Sequence, residues 1–451
     1  MSCWPTPPPI LNMNRSTARP PYSGGRTMTM SGTVKTSTSV AACLGLFAGS
    51  AYAQDVTYSE DVAPILMNHC VTCHRAGEVA PMSLTTFEET RPWARSIALE
   101  VAQKRMPPWH ATAGVREYTN DRSLDDAEID VIQRWVAAGA PRGDDALMPP
   151  IPTFNDGWQF GEPDLVLAWD APYQIAAEGD DEYRCFVLDP KFEQDQWVDV
   201  VEVMPGNRTT DHHIVIYVDQ EGEISTRLDE EEPGEGYSCF GTGGFPAYMV
   251  PGWGPGYQAT ETPEGAGYLL RAGAKIVLQM HYHKTGNPEE DLTRVGLRYA
   301  RRPTQQVLYN GYVLGFMQIP PGDPNFVVTG RSPIQEDITI HSVVTHMHYL
   351  GKAMDIWAIL PDDSRVDLVK VPRFDFSWQY EYTLAEPQRL PKGSIVHMKA
   401  VFDNSPESPY QHSDPPRLVT FGESTTDEMA VGVFFHTRDA ENISGESTSG
   451  Q

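Results

Sequence analysis

Two sets of residues in this chain are spaced for chemistry: a pair of thiols followed directly by an imidazole, and three clusters of histidines. In Cys70-Val71-Thr72-Cys73-His74 the spacing is that of covalent haem attachment, where two thiols take the vinyl groups and the next residue offers its imidazole to the iron. A zinc site would need a second ligand pair, and no other cysteines lie nearby. Farther along, His212-His213 opens the apolar run Ile214 to Val218, His281 and His283 alternate at the end of Leu278 to His283, and His346 and His348 alternate within Thr345 to Lys352. Residues two apart on a strand point to one face, so His346 and His348 can converge on a metal while Met347 points away. Adjacent residues on a regular strand point apart, so His212 and His213 can share a metal only at a strand end or bulge. The turn-like Pro205-Gly206-Asn207 upstream is a reason to expect such an irregularity. Imidazole alone suits zinc, copper, iron or nickel; a soft ligand would single out copper, and pattern alone does not locate one.

The elements that must position these groups differ along the chain. Around the thiols the periodicity is helical: Thr57 to Leu66 starts a helix just before the motif, and Asp125 with Glu128 forms a capping-box start for a helix carrying Ile129, Ile132 and Val136 on one face. Chains resembling mono-haem cytochromes c place a methionine, the sixth iron ligand, shortly before the last helix. Met106, in Met106-Pro107-Pro108-Trp109, matches that position, with Met82 and His110 as competitors. Residues 144–157 contain Met148-Pro149-Pro150-Ile151-Pro152 and read as a linker. Beyond about position 160, short Val/Ile/Tyr/Phe-rich runs alternate with turn clusters, the pattern of antiparallel β-sandwiches.

At the scale of the whole chain, 451 residues are enough for about three ordinary domains. A formal charge of -27 argues against a phosphate-binding surface and so against nucleic acid as a partner. Lys35, the apolar run Val40 to Ala48 and Ala51-Tyr52-Ala53 read as a secretory signal, too short to span a membrane, with the mature chain beginning at Gln54. The chain is therefore expected to be exported, to the periplasm. Of six cysteines, Cys3 and Cys43 would leave with the leader. Cys185 and Cys239 remain beyond the haem pair, and an oxidising compartment predicts a disulfide between them.

The ordered series Asp211-His212-His213-Ile214-Val215, Leu278-Gln279-Met280-His281-Tyr282, Ile319-Pro320-Pro321-Gly322, Thr345 to Lys352 and Ser424-Thr425-Thr426-Asp427-Glu428-Met429 resembles the copper type II, ascorbate-dependent monooxygenases. This family includes peptidylglycine and dopamine β-hydroxylating enzymes, and the resemblance covers about residues 157 to 440. It implies one copper on His212, His213 and His281, and a second, catalytic copper on His346, His348 and the thioether of Met429. It also implies a disulfide like Cys185–Cys239, and two sandwiches facing each other across a solvent-filled cleft. His283 matches no ligand of that pattern.

Two departures stand out. The peptide-amidating members hold a substrate carboxylate with an arginine and a tyrosine at positions occupied here by Val344 and Val433, so a neutral or apolar substrate is expected. The fused haem motif replaces ascorbate as the expected source of electrons. The expected architecture is multidomain: leader and signal peptide 1–53, a small all-α cytochrome c domain 54–143, linker 144–157, two all-β antiparallel, jelly-roll-like copper domains 158–302 and 303–440, and a tail 441–451. The expected function is a copper-dependent monooxygenase acting with O₂ on a small molecule, with an electron donor to the haem and no membrane span. A non-catalytic haem and copper electron-transfer protein is the alternative, and a zinc hydrolase comes third.

Overall fold

Helices open the described part of the chain. The Thr57 hydroxyl caps a first stretch, Tyr58–Val62, that runs on into Ala63–His69 and delivers Cys70 at its end. The computed structural model describes residues 56–443 except Val79, Asn155, Asp156, Thr242, Pro246, Ala247 and Glu423. The expected leader with Cys3, Cys43 and the cleavage site, and the end of the tail, lie outside the described residues. Further helices follow at Phe87–Thr90, Ala94–Ala102 and Asp126–Ala137. The last begins with the capping box expected at Asp125 and Glu128, both of whose reciprocal bonds are present. Ile132 and Trp135 are fully buried against Tyr58, Leu66 and Ile97, with Ile129, Val136, Met82 and Cys70 at the margin of this helical core.

The rest of the chain is mostly β-sheet. One sheet runs in the order Tyr237–Ser238, Glu182–Leu188, Lys275–Tyr282, Asp211–Asp219, Tyr248–Trp253. A second runs Leu165–Leu167, Arg294–Tyr299, Gln196–Met204, Ala266–Leu270, Gln306–Val307. Their apolar faces meet in one core, Phe186, Ile214, Ile216 and Leu278 from the first against Val198, Val201, Val295 and Leu297 from the second. The pairing is antiparallel except that Gln306–Val307 runs parallel to Ala266–Gly267. The Cys185–Cys239 disulfide is formed.

A further pair of sheets follows: Tyr309–Gly315, Ala430–Arg438, Ile338–His346, Glu381–Leu390 in one, and Phe326–Pro333, Ile395–Phe402, Gly351–Ile359, Arg365–Val371 in the other. The former sheet is covered on both faces. Along Ala430–Arg438, Ala430 and Phe434 enter the core shared with Met354, Ile356 and Met398, whereas Val431, Val433 and Phe435 pack toward the preceding sandwich. Alternation on one strand thus serves two neighbours.

The stretch between the helices Ala94–Ala102 and Asp126–Ala137 belongs structurally to this last pair of sheets. Trp109 and Tyr118 sit in its core beside Tyr382. The N–H of Thr119 donates to the Thr383 carbonyl (2.9 Å), that of Ala385 to the Glu117 carbonyl (3.0 Å), and the Tyr118 hydroxyl to the Leu368 carbonyl (2.9 Å). No helix of the described residues is long and apolar enough to cross a membrane.

Candidate functional site

The strand Asp211–Asp219 pairs with Lys275–Tyr282 so that Asp211 faces Tyr282 and His213 faces His281, with an irregularity between Asp211 and His213. His212 is the extra residue of that bulge, which is how two adjacent imidazoles come to the same side. Their Nδ1 atoms lie 3.0 Å apart, and the Nδ1 of His281 is 3.3 Å from that of His213. Among the described residues this is the one group of three or more His, Cys, Asp or Glu side chains whose ligating atoms all lie within 4.8 Å of one another. The His281 Nε2 is 2.8 Å from Asp181, whose other oxygen meets His283 Nδ1 at 3.0 Å. With Nε2–H donated to a carboxylate, the lone pair of His281 sits on Nδ1, toward its partners. Burial first, then the neighbouring imidazoles, pushes His212 down to about 3 and His213 well below the usual histidine range. Burial pulls Asp181 upward, but the hydrogen bonds from His281 and His283 outweigh it and hold the carboxyl below its ordinary value. Three converging ring nitrogens, with burial disfavouring the charged forms of His212 and His213 and a carboxylate behind His281, fit a metal cation.

His346 ends its strand and His348 lies just beyond, in the turn before Gly351–Ile359, with the two rings 5.2 Å apart and nearly perpendicular. His346 Nδ1 meets Gln379 Oε1 at 2.5 Å, and His348 Nδ1 is 3.2 Å from the Asp427 carbonyl. Donation from both Nδ1 atoms leaves the lone pairs on Nε2. The turn is shaped by Glu428, whose carboxyl accepts from the N–H of His348 (3.0 Å) and of Leu350 (2.5 Å); burial pushes it up to about 8. Met429 comes next, two residues before Val431, which pairs with His346, and it lines the same cavity as both histidines. A thioether on the same cavity as an H-x-H pair has the chemistry of the soft ligand that pattern alone did not locate.

That cavity, about 450 Å³, is lined on one side by His212, His213 and Ile214 and on the other by His346, His348, Met429, Val344, Val431 and Val433. No lysine or arginine is among its described lining residues. The Phe376 ring stacks on His212 (4.7 Å between centres) and meets His348 edge-on (6.0 Å), so one aromatic ring stands between the two histidine groups.

At the thiol motif, the N–H groups of Cys73 and His74 both donate to the Cys70 carbonyl, coiling the segment, and the two cysteines are free thiols. His74 Nδ1 is 3.2 Å from the Met82 carbonyl, which leaves Nε2 as its ligating nitrogen. Cys70 and Met82, both partly buried, pack against the helical core. Met106 packs instead against the core containing Trp109 and Tyr118. The structure therefore brings Cys70, Cys73, His74 and Met82 together and places Met106 with the C-terminal sheets.

Sequence reasoning assigned no role to Asp181, Gln379, Glu428 or Phe376. Glu428 lay within a matched stretch, next to Met429, but a lone acid carries no pattern of its own.

No protein-family model matches this sequence, and a search of curated proteins finds no similar sequence. Among solved structures, the major capsid protein P2 of bacteriophage PM2 is similar over 61% of this chain and 97% of its own, at 11% identity and a TM-score of 0.25. The infectious bursal disease virus Gx strain structure is similar over 66% of this chain and 76% of its own, at 8% identity and a TM-score of 0.18. Likenesses this low carry no argument about fold or function.

Proposed function

We propose that this chain is an exported copper-dependent monooxygenase that hydroxylates a C–H bond of a small, neutral or apolar molecule with O₂, using electrons that enter through a haem on Cys70, Cys73 and His74. In fold terms it is a small cytochrome c-like helical part followed by two jelly-roll-like copper domains. The observation that carries this reading is the arrangement of two histidine groups at one apolar cavity: His212 and His213, which line it and converge with His281 behind them, and an H-x-H pair that lines it together with a methionine. His212, His213 and His281 would hold one copper, and His346, His348 and Met429 the second, where a thioether favours Cu(I). When bound, a haem and a copper on the three histidines would supply one-electron chemistry, and a copper on His346, His348 and Met429 would supply oxygen-activating chemistry.

The chain's own residues do the rest. Asp181, Gln379 and the Asp427 carbonyl fix which nitrogen of His281, His346 and His348 carries the proton. Val344, Val431 and Val433 keep the cavity dry beside His346 and leave no partner for a substrate carboxylate. The Met82 carbonyl orients the His74 ring.

The test is the metal content and visible spectrum of the exported protein, with and without Met429→Ala. About two coppers and one haem per chain, Cu(I) binding weakened about ten-fold or more in the variant, and substrate-dependent O₂ consumption would uphold it. Zinc in place of copper, or an unchanged Cu(I) affinity, would sink it.

A further inference from the structure

The cavity floor is a row of four residues, one from each strand of the sheet that carries His346. Tyr312 pairs with Val433, Val433 with Val344, and Val344 with Glu381. All four line the cavity. The next row toward the histidines is Leu314, Val431 and His346. Sheet spacing therefore places Glu381 one strand across and one side-chain step along from His346, about 5 Å by 7 Å at the backbone. The carboxyl of Glu381 is the one acidic group among the described residues of this apolar wall, and the cavity offers it no cation. Its partners are hydroxyls: Ser342 Oγ donates to it at 2.5 Å, and the Tyr257 phenol lies against it.

We infer that Glu381 is the polar contact by which this cavity recognises its occupant, and that the occupant is an uncharged, mainly apolar molecule carrying one hydrogen-bond-accepting oxygen. Burial among valines and tyrosines, with no cation in the cavity, pushes this carboxyl above the ordinary glutamate range against the pull of its hydroxyl partners, and so favours the protonated form. Protonated, it has one O–H to give, and an acceptor such as a carbonyl, ether or hydroxyl oxygen completes it. An anion finds no partner there. An amine would require two charges to be desolvated together, a penalty that their attraction rarely exceeds. The placement one row from His346 sets such an oxygen at one end of the molecule and presents its carbon skeleton to the histidines. This deepens the proposed monooxygenase reading and rests on it for the reaction, but not for the binding.

The test uses the purified full chain and four probes of one shape: 4-phenyl-2-butanone, butylbenzene, 4-phenyl-2-butylamine and 4-phenylbutanoate, with affinities from titration calorimetry. The ketone is expected to bind about ten-fold more tightly than the hydrocarbon, the gain of one buried hydrogen bond, and more tightly than either ion. Glu381→Leu should collapse the ketone-to-hydrocarbon ratio to near one, while Glu381→Gln, which keeps a donor, should retain most of it. Because the ratio is taken within each variant, a general loss of stability does not mimic the effect. Tightest binding of the amine, an undiminished ratio in Glu381→Leu, or no binding of any probe would overturn the inference. Metal content is read separately: a copper-loaded protein without ketone preference would remove only this inference. Ketone preference in a protein that takes zinc would remove only the monooxygenase reading.

Discussion

Glu428 shows how much a single side chain can organise without touching a ligand. Its two oxygens take the N–H groups of His348 and Leu350, both buried, so the turn that carries His348 depends on one acid. Each buried N–H left without an acceptor costs about 1–3 kcal/mol. Glu428→Ala should therefore lower unfolding free energy by about 2–6 kcal/mol, and Glu428→Gln, which keeps one acceptor oxygen, by clearly less; urea denaturation of the metal-free protein measures both. Equal midpoints for wild type and the alanine variant would show that the turn is held by something else. At this scale the sequence was legible where residue type and spacing coincide, as in Cys70 to His74 and the H-x-H pair. Asp181 was not legible, because it lies 100 residues from His281 and nothing local connects them.

Among the elements, the bulge at His212 was the expectation drawn from Pro205-Gly206-Asn207, and the register bears it out. Just before it, Asp211 and Asp291 lie close together with Thr210, Thr293 and the Tyr282 hydroxyl around them. Burial first, and for Asp211 the neighbouring carboxyl next, raises both above the ordinary aspartate range. A folded-state pKa raised above the unfolded one means that the native chain binds more protons. The contribution is complete below the unfolded value of about 4 and is lost as pH rises through the folded values. Asp291→Asn removes the like charge, so its melting temperature should fall less between pH 4 and pH 8 than that of the wild type; parallel thermal melts decide, and superimposable slopes would contradict the assignment. The parallel pairing of Gln306–Val307 was not legible, since two residues set no period. Nor was the fate of the loop around Met106: its prolines announce rigidity, but only the fold shows that Trp109 and Tyr118 are the residues it delivers, and to which core.

Over the whole molecule, the helical part is joined to the sheets on more than one side. Arg208 pairs with Glu78 beside the thiol motif (2.9 Å), Arg122 donates to the Gly256 carbonyl (3.1 Å), and Glu117 to Thr119 run along Glu381–Leu390. The three-part division drawn from the sequence describes how residues are distributed along the chain and says nothing of these ties, which depend on single residues far apart in number. They also bear on how the chain behaves without its helices. Glu381–Leu390 is the last strand of its sheet, and the stretch Glu117–Thr119 occupies part of its outer hydrogen-bonding side. A version lacking residues 56–143 would leave that side as an open edge, next to a vacated bed for Trp109 and Tyr118. Unprotected edges of this kind recruit other chains. Such a truncation is expected to self-associate, visible as concentration-dependent light scattering at concentrations where the full chain is clear. The helical part would then act as a guard for the sheet as well as a carrier of thiols, and a chain of this architecture could shed its N-terminal third only by acquiring another cover for that strand.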